Sequence, residues 1–102
     1  LRQSDPIQLY TSNQLQASAP VLRLIKLYQI GVLACKNQDQ IRVIKVLWLL
    51  NKSLNQDKWP ELATNLSRIY SHLHACVNEG KYDYVEKTLT KLLDQWQNLN
   101  KV

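Results

Sequence analysis

Residues 59–76 read WPELATNLSRIYSHLHAC. Within them Trp59, Leu62, Leu66, Ile69, Leu73 and Cys76 recur at spacings of 3, 4, 3, 4, 3. A helix turns once in about 3.6 residues, so this rhythm places all six on one face; a strand would alternate apolar and polar instead. Asp57 is a plausible N-cap for this helix, with Pro60 in the first turn, where a missing N–H has no helical partner to lose. Asn78-Glu79-Gly80 ends it, with Gly80 suited to the left-handed conformation that follows a helix.

The same rhythm continues on both sides. Tyr82, Val85, Leu89, Leu92, Trp96 and Leu99 repeat at 3, 4, 3, 4, 3, behind Asp83 and Glu86 at capping-box spacing. Upstream, Val43, Leu47, Leu50 and Leu54 mark a helix over about 40–55, opened by Asp39. Val21, Ile25, Tyr28, Val32 and Cys35 mark another from about Pro20 to Lys36. Four amphipathic helices with short links predict an all-α, antiparallel, up-and-down four-helix bundle spanning residues 19–102. Residues 1–18 are polar and mixed, and read as an irregular N-terminal arm carrying Leu9-Tyr10 and Leu15.

Composition agrees. The chain has 102 residues, 45% of them apolar, with only two Gly and three Pro. That suffices for one core and leaves too little turn punctuation for an all-β fold. The formal net charge is +5, and it is uneven: residues 1–56 hold seven Lys and Arg against two Asp, whereas residues 57–102 hold six of each sign. A basic half steers acidic partners, nucleic acid among them, or is simply a solvated surface. No apolar run is long enough to cross a membrane and no signal peptide is visible, so a cytoplasmic, membrane-free setting is expected. Cys35 and Cys76 lie within helical apolar patterns and are expected to be unbridged.

The helix over 40–55 carries more apolar residues than its inward stripe needs. Ile41, Ile44 and Trp48, at i, i+3 and i+7, form a second stripe to one side of it. Ala63, Tyr70 and Val77 form a weaker one on the next helix. A second stripe signifies either a helix set deep in the bundle or a groove that accepts an amphipathic segment of another chain.

Little here suggests chemistry. His72 and Cys76 share a helix face at i, i+4, a spacing used by metal ligands, but His74 points elsewhere and no further ligand is close in sequence. Cys76 continues an apolar stripe, where thiols are inert. There is no Gly-rich phosphate loop and no catalytic pair of carboxylates. The expectation is a binding protein with no enzymatic activity, no metal and no cofactor.

Pro6, Tyr10, Asn13, Leu15 and the cluster Ala17-Ser18-Ala19-Pro20, in that order and spacing, resemble the N-terminal pattern of the FliS family, the bacterial chaperones for flagellin export. Leu27-Tyr28, Ser53-Leu54, Asn65-Leu66 with Tyr70, and Trp96 extend the resemblance to residues 6–96. The sequence departs where Gln29 and Ile30 precede Gly31, and it is more basic than the family's usual balance. The resemblance implies a cytoplasmic chaperone that binds the disordered C-terminal segment of flagellin, prevents premature polymerisation and presents its client to the export apparatus. It implies that the arm, through Tyr10 and Asn13, lies near the client surface. Together with the second stripes, the expected partner-binding residues are Tyr10, Asn13, Ile41, Ile44, Trp48, Tyr70 and Val77. The alternatives are a homodimer through the same stripe, and a basic adaptor for nucleic acid or another acidic partner.

Overall fold

The computed structural model describes residues 19–100; the arm, with Tyr10 and Asn13, lies outside them. Among the described residues there are four α-helices and no strand: α1 (Ala19–Lys36), α2 (Gln40–Lys52), α3 (Pro60–Asn78) and α4 (Tyr82–Asn100). The chain is an all-α four-helix bundle, as its periodicity predicts. α1 packs most extensively on α4, then on α2; α2 packs on α3, and α3 meets α4 more lightly. The helices thus close a ring in chain order.

Each link is set by local chemistry. After α1, the Asp39 N–H bonds the Ala34 carbonyl and the Gln38 N–H that of Cys35, with Gln38 at φ 52°. This is the Schellman ending, here without the usual glycine. Asp39 then caps α2 through its side chain, which accepts from the Arg42 N–H at 3.2 Å. At the other end of α3 the Lys81 N–H bonds the Cys76 carbonyl and Gly80 takes φ 77°, the expected glycine stop.

Three expected boundaries differ. α2 stops at Lys52, three residues early, because the Ser53 N–H folds back on the Leu49 and Leu50 carbonyls while its hydroxyl donates to Leu50 at 2.9 Å. The entry to α3 is organised by Asn55 rather than Asp57. The Asn55 side chain accepts from the Lys58 N–H at 2.9 Å and its carbonyl from the Trp59 N–H at 3.0 Å. Asp57 is left exposed in that turn, and Trp59 is the N-cap residue without a side-chain bond. α4 begins one residue before Asp83. Asp83 therefore sits in the first turn, where its charge favours the helix dipole, and Glu86 pairs instead with Lys36 of α1 at 3.1 Å.

The core joins the predicted stripes. Val21, Tyr28, Val43, Leu50, Leu73, Val85 and Leu89 are fully buried, and Trp96 nearly so. Gly31 lets the helices close in: a Cβ there would stand 3.1 Å from both Val46 of α2 and Leu89 of α4. On α3 the buried centre is Ala63, Leu66, Tyr70, Leu73 and Val77, while Leu62 and Ile69 are half-buried at its flank. The expected second stripe of α3 is therefore core. The reason is position: α3 lies between α2 and α4, and its apolar arc must serve both neighbours.

Candidate partner-binding face

Successive residues of a helix are about 100° apart, so Ile41, Lys45, Trp48 and Lys52, at i, i+4, i+7 and i+11, share one narrow strip of α2. The strip is opposite Val43, Val46, Leu47 and Leu50, which face the core. It points to solvent: Ile41 is 81% exposed and Trp48 57%. Lys52 extends along it with its ammonium 4.7 Å from the centre of the Trp48 ring, a cation–π contact at an exposed site.

Ile44 lies at the edge of this strip and is half-buried toward α3. There, α2 and α3 border an open depression of about 150 Å³ lined by Ile44, Leu47, Trp48 and Asn51 from one side and by Tyr70, Ser71 and His74 from the other. On the opposite edge, Leu49 and Lys52 meet Arg23, Leu24 and Leu27 of α1 around a second depression of about 350 Å³. The exposed strip is thus a ridge between two shallow grooves.

The structure divides the expected binding residues. It brings Ile41, Ile44 and Trp48 together on one accessible face. Tyr70 and Val77 are 2% and 1% exposed. Val77 is a core side chain and no part of a surface stripe. Tyr70 reaches only the floor of the α2–α3 depression, because its hydroxyl turns inward to Tyr28. Other exposed apolar side chains were not singled out by the sequence: Leu22 and Leu33 on α1, and Tyr84 on α4. α1 is apolar nearly all round, so periodicity alone does not separate its outer leucines from its inner ones.

The Cys35 thiol behaves as part of the core. Burial, with the Glu86 carboxylate nearby, pushes the Cys35 thiol up to about 11 and keeps it protonated at neutral pH. Both cysteines are free and buried. Cys76 Sγ lies 3.6 Å from His72 Nε2, and the His72 ring meets Tyr84 edge-on with centroids 5.6 Å apart. Among the described residues no group of three or more His, Cys, Asp or Glu is arranged to hold a metal ion, and no helix is long and apolar enough to cross a membrane. Compared with known proteins, the chain matches no family model, no curated protein and no solved structure.

Proposed function

We propose that the protein is a binding protein of the bacterial cytoplasm that acts as an export chaperone, holding the C-terminal segment of flagellin on the face built by α2 and α3. The observation that carries this reading is the exposed pair Ile41 and Trp48 beside an apolar-edged groove. A soluble chain keeps a large aromatic ring in water at a cost, and such rings concentrate binding energy when a partner covers them. A client helix with apolar residues at i, i+3 or i+4, and i+7 fits a ridge of this spacing. The resemblance of the motifs from Pro6 to Trp96 to those of the flagellin-export chaperones is what supports flagellin among amphipathic clients.

The test is calorimetric titration of the full chain with C-terminal peptides of candidate flagellins, alongside Trp48→Ala. The reading expects saturable binding with a negative heat-capacity change. It expects Trp48→Ala to weaken that binding by about 2 kcal/mol or more. Absence of binding by every flagellin peptide would remove the flagellar client. Unchanged affinity in Trp48→Ala would remove the α2 face. The adaptor reading, a basic bundle for nucleic acid or another acidic ligand, is favoured by one observation: α2 carries Arg42, Lys45 and Lys52 and no acidic residue.

A further inference from the structure

The exposed strip of α2 alternates apolar and cationic groups, Ile41, Lys45, Trp48, Lys52, and both lysines are exposed. Arg42 stands at its edge and is itself engaged with Asp39 at 3.5 Å. Across the groove, α3 offers Ser71 and His74, and the only acidic residue of α3 is Glu61, in its first turn at the far end from His74. Of the other carboxylates, Glu86 faces Lys36 of α1, Asp83 and Asp94 belong to α4, Glu79 at the end of α3 pairs with Lys81, and Asp57 in the α2–α3 link borders an open depression with Lys52 but forms no ion pair with it. Lys45 and Lys52 have no ion-pair partner among the described residues.

We infer that the α2–α3 face selects an acidic amphipathic helix: a partner segment whose apolar stripe covers Ile41, Ile44 and Trp48 while carboxylates flanking that stripe pair with Lys45 and Lys52. This rests on the proposed use of the same face and names the chemistry of its occupant. Charge complementarity identifies that occupant. A second copy of this chain docked face to face would bring Lys45 and Lys52 of both copies into one interface to which α2 adds no acidic residue, since a two-fold interface repeats the same patch on both sides. A polyanion such as nucleic acid would satisfy the lysines and leave Ile41 uncovered in water. An acidic amphipathic helix satisfies both. Rim charges of this kind act on encounter and selection more than on total affinity.

The test uses three synthetic helical peptides of one apolar pattern, leucines at i, i+3, i+4 and i+7, whose flanking positions are all Glu, all Gln or all Lys. Their binding to the full chain is read by fluorescence anisotropy at low and high NaCl. The Glu peptide should bind at least tenfold tighter than the Lys peptide at low salt, with the Gln peptide between them, and salt should compress that ranking. The double variant Lys45→Glu/Lys52→Glu, checked for native helicity by circular dichroism, should invert the ranking. Equal binding of the Glu and Lys peptides, or a ranking unchanged by the double variant, would overturn the inference. A single-stranded oligonucleotide that displaces the Glu peptide and is insensitive to Trp48→Ala would overturn it in favour of a polyanion. The two readings fail separately. If Trp48→Ala weakens all three peptides while charge reversal changes nothing, the face stands and acid selection falls. If the ranking inverts but flagellin peptides do not bind, acid selection stands and the flagellar client falls.

Discussion

The hydroxyl of Tyr28 on α1 hydrogen-bonds the hydroxyl of Tyr70 on α3, across the diagonal of the bundle and out of reach of water. The buried Trp96 of α4 also interacts with the Tyr28 phenol. Three helices therefore share one small polar cluster inside an apolar core. A buried hydroxyl left alone costs more than its bond contributes, so this cluster fixes how the helices are turned relative to one another. The two tyrosines should accordingly respond unequally to loss of the hydroxyl. Tyr70→Phe removes one partner and leaves the Tyr28 phenol its interaction with Trp96, a loss of about 1 kcal/mol. Tyr28→Phe leaves the Tyr70 hydroxyl alone and takes away the phenol that Trp96 interacts with, and should cost about 2–3 kcal/mol. The double variant should cost less than the two singles together, because no phenol is then left unpaired. Urea midpoints of the four proteins measure this, and strict additivity would contradict the cluster.

The same burial makes stability fall at high pH. Burial holds Tyr28 and Tyr70 above the usual phenol range, and burial with Glu86 lifts Cys35 from 9.0 to about 11. Between these values the unfolded thiol has released its proton while the native one keeps it. The unfolded state then binds fewer protons, and stability decreases as pH rises. From pH 9 to 11 the Cys35 share is at most about 2 kcal/mol, and the tyrosines extend the loss above pH 10. Urea unfolding of the native chain at pH 8 and pH 11 should show the drop, and Cys35→Ala should show a smaller one. An equal drop in Cys35→Ala would assign the alkaline loss to other groups.

The helices and the apolar rhythm were legible because each amphipathic face has only one solution as a bundle. What escaped the rhythm has identifiable physical causes. The centre of the α3 core is hidden in the sequence because Ala63, Tyr70 and Val77 lie beside a wider apolar arc, and only the placement of α2 and α4 decides which part of an arc is inside. Asp57 had the chemistry of a cap, but Asn55 made the turn first by bonding the Lys58 N–H. The outer stripe of α2 was legible as surplus apolar surface. Its alternation with Lys45 and Lys52 is not, because the net charge of residues 1–56 carries no information about which helix face it falls on. The tyrosines that carry part of the family resemblance, Tyr28 and Tyr70, meet each other in the core, so that part of the resemblance speaks to the fold.

Gln38 and Gly80 end α1 and α3 with the same backbone motif, at φ 52° and φ 77°. Only glycine enters that region without a Cβ penalty. Gln38→Gly should therefore stabilise the protein by about 0.5–1 kcal/mol, the relief of left-handed strain less the added freedom of the unfolded chain. Gly80→Ala should destabilise it by about 1 kcal/mol through the backbone alone, since a Cβ there would meet nothing within 4 Å. Thermal midpoints should move in opposite directions. A lower midpoint for Gln38→Gly would mean that the Gln38 side chain contributes something that outweighs its backbone strain.

Trp48 decides whether α2 is a surface or merely a deep helix, because the two positions make different quantities move. A core tryptophan replaced by alanine leaves a cavity and costs about 3–5 kcal/mol of stability. Trp48 is 57% exposed, with the Lys52 ammonium over its ring. Trp48→Ala loses part of one ring's burial and a cation–π contact of about 0.5–1 kcal/mol, so the total should not exceed about 1.5 kcal/mol. Leu50→Ala, two residues away and fully buried, should cost about 2–5 kcal/mol. Ile41→Ala should cost less than either, because at 81% exposure the side chain has little burial to lose. Denaturant unfolding of the three variants gives the ordering Leu50 above Trp48 above Ile41. A Trp48→Ala loss as large as that of Leu50→Ala would place the ring inside the bundle and leave α2 with no apolar ridge to offer a partner.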